Sequence, residues 1–167
     1  DRSLLLLGEL PGTRAHATLR PGATVGTSTL AVQVDPIPAV TGQVSLVNAG
    51  NRYTGRVRLG AWLQVANPLR HGDQLDVAAM TSGSDLSYGR LGYQATLNGH
   101  GTRLGAAYST LDYALGGSLE ALRAHGTANV TSAWLSHPLV LRRDASLEVR
   151  LQADRKRLRD AVDTASL

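Results

Sequence analysis

The chain has 167 residues, 43% hydrophobic and 18% charged, with a formal net charge of +4. That apolar share excludes a disordered chain, and 18 glycines scattered without a triplet period exclude collagen. No apolar run reaches the ~18 residues of a membrane helix. Membrane strands of ~10 alternating residues stay open.

The chain has no cysteine, so it can hold neither a disulfide nor a thiolate-bound metal. Of 17 basic residues only Lys156 is a lysine. They are dispersed except in Asp154–Asp160, where acids flank them, so nucleic acid is not expected as a partner. The opening Asp1-Arg2-Ser3 followed by four leucines is not read as a signal peptide, because the start is acidic, the apolar run is too short and no Ala-x-Ala site follows, and the chain is expected to be a piece of a longer protein.

In chain order, residues 2–10 read as a helix stopped by Pro11-Gly12. Two extended segments follow, 14–20 and 29–35, with Leu30, Val32 and Val34 alternating. Pro36-Ile37-Pro38 reads as a stiff linker. Beyond it come about seven period-2 segments: 42–47, 53–65, 74–81, 88–97, 102–113, 126–135 and 146–153. Turns are expected at 48–51, 67–73, 82–85, 98–101 and 137–144, with a longer loop at 114–125.

The alternation sorts residues by face. One face collects Val57, Leu59, Leu63, Val65, Leu75, Val77, Leu91, Tyr93, Leu147, Val149 and Leu151. The other collects Arg56, Arg58, Gln64, Asp76, Arg90, Gln94, Arg103, Glu148, Arg150 and Gln152. The segment 126–135 alternates poorly and yields no face. A soluble β-sandwich binding module and a membrane barrel both use this pattern. The 13-residue run 53–65, the absence of Phe and the mixed-charge polar faces favour the barrel. The first set is then expected to face lipid and the second a lumen, with Tyr53, Tyr88 and Tyr113 near strand ends as an interfacial girdle.

No catalytic constellation stands out. There is no Gly-x-Ser-x-Gly, no phosphate-binding loop with lysine, and the five histidines lack ligand spacing. No enzyme activity, cofactor, metal site or small-molecule substrate is expected.

Several stretches resemble a known family. They are Leu5-Leu6-Leu7-Gly8-Glu9-Leu10-Pro11-Gly12, Leu19-Arg20-Pro21-Gly22, Gly26–Val32, Val44–Gly50 with Gly55, Asn67-Pro68-Leu69 with Gly72-Asp73-Gln74-Leu75, and Ser136-His137-Pro138-Leu139. In this order they resemble the TpsB-type outer-membrane transporters of two-partner secretion, also called hemolysin secretion/activation proteins, within the BamA-like superfamily. Val47 stands where the family usually has Asp, and His137 where an aromatic often precedes Pro-Leu.

The resemblance implies an all-β fold: the first half of a transmembrane antiparallel β-barrel, preceded by the C-terminal half of an α/β POTRA domain. Residues 1–38 would be the end of the second POTRA domain and a linker, and 39–167 the N-terminal half of a sixteen-stranded barrel. It implies a Gram-negative outer membrane with the POTRA part in the periplasm, turns near 67–73, 98–102 and 137–145 on that side, and the other loops outside. The implied partners are outer-membrane lipid and a large secreted hemolysin- or adhesin-type exoprotein carrying a two-partner secretion domain. A passive porin-like barrel is the other membrane reading.

Overall fold

The computed structural model describes all residues except 1, 9, 25, 84, 117–122, 143 and 163–167, and for 2–4 the backbone alone. Helix α1 spans Arg2–Gly8 and leads through Pro11 and Gly12 (φ +83°) into strand β1, Thr13–Pro21. β1 pairs antiparallel with β2, Ser28–Pro36, from Thr13↔Pro36 to Pro21↔Ser28. Gly26, at φ +86°, lets the hairpin reverse where an L-residue would strain.

The expected seven strands form one sheet: β3 (Val40–Val47), β4 (Arg58–Ala66), β5 (Asp73–Thr81), β6 (Leu86–Thr96), β7 (Arg103–Ala114), β8 (Ala124–Leu141) and β9 (Ser146–Val162). They are hydrogen-bonded in chain order, β3 to β9, every pair antiparallel. This is an up-and-down meander, the topology that closes into barrels. The C-terminal ends of β4, β6 and β8 lie at one end of the sheet, with the turns 67–72 and 97–102, and those of β3, β5 and β7 at the other, with the loop 48–57.

Three expectations about extent need correcting. β4 has 9 residues, not 13. Gly55 (φ +89°) breaks the extended path before it, and Gly50 N donates to Arg56 O at 2.9 Å, so 48–57 form a loop. Arg56 and Val57, expected on strand faces, therefore precede β4, and Tyr53 lies in the same loop. β8 continues through His137 and Pro138, where a turn was expected. A bulge between Pro138 and Val140 accommodates the residue that cannot donate to the ladder. β9 runs nine residues past Ala153, because its charged end still pairs residue by residue with β8 up to Ala124↔Val162. The expected loop 114–125 lies partly outside the described residues.

Candidate functional site: the two faces of the sheet

Register fixes which side chains share a face. Outside Arg56, every residue expected on the polar face lies there: Arg58 and Gln64 on β4, Asp76 on β5, Arg90 and Gln94 on β6, Arg103 on β7, and Glu148, Arg150 and Gln152 on β9. Outside Val57, every residue expected on the apolar face lies on the opposite one. β8, which the pattern left unassigned, contributes Val130, Ser132, Trp134 and Ser136 to the polar face. Small residues and Val at both parities hid its phase.

The polar face is layered. One cross-strand row runs Thr96–Arg103–Ser136–Arg150, and the next Gln74–Gln94–Gly105–Trp134–Gln152. Above them lies Gln64–Asp76–Gly92–Ala107–Ser132–Asp154, then Trp62–Ala78–Arg90–Ser109–Val130–Lys156. Cationic, amide, acidic and cationic rows thus follow one another. Short bonds between alternate positions brace the acids: Gln74 Nε2 donates to Asp76 at 2.9 Å, and Gln152 Nε2 to Asp154 at 3.0 Å. A further row, Gly60–Met80–Tyr88–Leu111–Ala128–Leu158, is mostly apolar. At the rim, Arg58 Nη2 donates to Thr54 Oγ1 at 3.4 Å, and its buried Nε has no partner among the described residues.

Two glycines on this face are sockets for rings. A Cβ on Gly105 would stand 2.3 Å from Cε2 and Cζ2 of Trp134, its direct cross-strand partner. The absent side chain lets the indole lie flat across β7, and the Arg150 guanidinium covers the ring at 4.9 Å from its centre. Likewise Tyr113 lies over Gly126, where a Cβ would be 2.6 Å from the ring, and its hydroxyl donates to Asp160 at 3.0 Å. Sequence reading missed both pairs, because glycine opposite an aromatic becomes visible only once register is known.

Burial is inverted relative to a soluble sheet. On β8 Trp134 is 8% exposed and its neighbour Ser136 5%. Leu135, between them on the apolar face, is 40% exposed, and Leu91 on β6 reaches 55%. On β7 and β8 the polar face is sheltered by the curl of the twisted sheet and the apolar face is largely exposed, whereas on the edge strand β9 both faces are exposed. Ala107 and Trp134 are the buried hydrophobic residues among those described.

At the end holding 67–72 and 97–102, the turns are built tightly. Asp73 is fully buried. Its carboxylate accepts from Leu69 N at 3.1 Å, His71 N at 3.2 Å and the Tyr93 hydroxyl at 2.9 Å. Asn67 and Arg70 take positive φ, and Asn67 Oδ1 accepts from Gly72 N at 2.8 Å. The N-terminal unit seats on these turns. Leu10 Cδ2 is 3.0 Å from where a Cβ on Gly72 would be, and Leu6 Cδ2 is 2.6 Å from that of Gly101. A cleft of about 330 Å³ lined by Leu6, Leu7, Leu10, Asn98 and Arg103 remains between them.

An exposed apolar face, a charge-layered polar face and antiparallel strands in chain order are the pattern of a segment of an outer-membrane β-barrel protein. No family model matches the chain. It is 31% identical over 161 residues to the heme/hemopexin transporter protein HuxB of Haemophilus influenzae, covering 96% of this chain and 28% of the relative. HuxB of a second strain is 30% identical over the same length. The fold is that of CdiB from Escherichia coli (TM-score 0.73, 22% identity, 97% of this chain, 31% of that one) and CdiB from Acinetobacter baumannii (TM-score 0.68, 18% identity, 95% and 31%). The family is that of the TpsB-type outer-membrane transporters of two-partner secretion, and the chain spans less than a third of the length of these relatives.

Proposed function

We propose that this segment belongs to a pore that recognises a large hemolysin- or adhesin-type exoprotein and conducts it, unfolded, across the outer membrane. Residues 1–38 are then the C-terminal part of the second POTRA domain with its linker, in the periplasm, and 39–167 the N-terminal half of the barrel. In this reading Arg58, Gln64, Asp76, Arg90, Gln94, Arg103, Glu148, Arg150 and Gln152 line the lumen. Leu59, Leu63, Val65, Leu75, Val77, Leu91, Tyr93, Leu147, Val149 and Leu151 contact lipid. The observation that carries the reading is the inverted burial of β7 and β8, an exposed apolar row behind a sheltered polar one, in register with the charge-layered rows of the neighbouring strands.

The layered face suits an extended polypeptide in transit. Rows of opposite sign and an apolar row offer every residue type a weak partner and none a strong one, because hydrated single ion pairs are worth ~1 kcal/mol or less. The test is export by the full-length transporter carrying Arg90→Glu and Arg150→Glu. Export of its exoprotein should fall several-fold while barrel insertion is unchanged. A variant that inserts and exports as before would refute the layered face as the exoprotein's path, and a wild type that inserts and passes ions but exports no exoprotein would leave a passive porin-like barrel instead.

A further inference from the structure

The outward row of β9 changes character abruptly. From the turn it reads Leu147, Val149, Leu151, Ala153, then Arg155, Arg157, Arg159. These arginines pair by register with Thr131, Asn129 and Thr127 on β8, which share their face. The opposite row of the same strand keeps Asp154 and Lys156 on the polar side. The charge run singled out in the sequence therefore divides into an inward mixed row and an outward row of one sign.

Its height follows from strand length. A tilted strand crosses the hydrocarbon in about 9–11 residues. Counted from Leu147, that ends at 155–157, so the arginines stand where β9 leaves the apolar band. Successive ones lie about 6.8 Å apart along the strand. All three are exposed, and none has an ion-pair partner among the described residues. The nearest acid on this face by register is Asp112, whose Oδ1 already accepts from Thr127 Oγ1 at 2.8 Å. Asn129 Oδ1 accepts from the Tyr108 hydroxyl at 2.7 Å, which leaves the Asn129 amide donors facing the same side.

We propose that Arg155, Arg157 and Arg159, with Asn129 and Thr131 beside them, form a docking surface for the phosphate groups of a membrane lipid in the outer leaflet. Guanidinium forks bind phosphate bidentately and are weakly hydrated. An exposed row of one sign directly above an apolar band is complementary to an anionic amphiphile whose chains lie against that band and whose phosphates lie above it. Calling this leaflet the outer one rests on the orientation proposed above. The lipid contact itself does not.

The test is native mass spectrometry of the detergent-solubilised full-length transporter with bis-phosphorylated lipid A and its dephosphorylated form. The wild type should bind the phosphorylated form preferentially. The variant R155Q/R157Q/R159Q should lose that binding ten- to hundredfold, while R14Q, an exposed arginine on β1, keeps it. Equal binding by the triple variant, no preference for phosphorylated lipid, or displacement by inorganic phosphate as readily as by lipid A would overturn the proposal. So would unchanged lipid binding with lost export, which would assign the row to the exoprotein. Orientation is read separately, by labelling Arg52→Cys, in the exposed loop between β3 and β4, in whole cells with an impermeant maleimide. Failure of labelling there with lipid binding intact would refute the orientation and not the site.

Discussion

Glycine at 105 should be required only because Trp134 lies on it. A Cβ there would sit 2.3 Å from two ring atoms and 2.7 Å from Nε1, well inside any real contact. β7 is paired on both sides, so its backbone cannot retreat. The indole must leave its rotamer, at about 0.5–1.5 kcal/mol, and give up part of the Arg150 contact, worth about 0.5–2 kcal/mol. Against this, replacing Gly by Ala within a strand gains about 0.5–1 kcal/mol. Gly105→Ala alone should therefore destabilise by up to about 2.5 kcal/mol, and in a Trp134→Ala background it should stabilise. A double-mutant cycle on the full-length transporter, unfolded in urea and followed by the gel mobility of the unheated barrel, should give a coupling of about 1–3 kcal/mol. A Gly105→Ala effect of the same sign and size in both backgrounds would refute the socket.

Further outcomes follow from the two faces and from the turns. Leu63→Arg should impair membrane assembly by about 2–4 kcal/mol while Gln64→Arg, one residue on, is tolerated, as measured by barrel yield. Asp73→Asn should cost about 1–3 kcal/mol, since its charged bonds hold a fully buried turn. Tyr93→Phe in that background should add little, and a fully additive pair in urea titration would contradict the shared network. Leu6→Ala with Leu10→Ala should raise hydrogen exchange of the backbone at 98–102 and leave β8 unchanged, because those leucines rest on Gly101 and Gly72.

How much of this was legible in the sequence depended on phase. Where Leu, Val and Tyr alternate with Arg, Gln and Asp, as from Leu59 to Val65 or Leu147 to Gln152, the faces are readable from the chain alone. β8 was not, because Ala, Ser, Thr and Val fit either environment; its phase comes from pairing with β9, where Trp134 meets Gln152. Strand ends were misread for two reasons. Pro138 looks like a stop until a bulge absorbs it, and alternation across 53–57 continues where Gly55 has already left the extended region. The arginine row on β9 needed the strand to run on past Ala153, which a charged stretch does not advertise.

The central claim is that the sheltered face meets water and the bare one meets lipid. Its most direct measurement is spin-label accessibility in the full-length transporter, cysteine-free apart from single cysteines placed in turn at 63, 64, 90, 91 and 94 and reconstituted in lipid bilayers. Labels at 64, 90 and 94 should respond to a water-soluble nickel chelate, and those at 63 and 91 to dissolved oxygen. The opposite phase, or equal response to the chelate at all five positions, would contradict a barrel with its polar face inward.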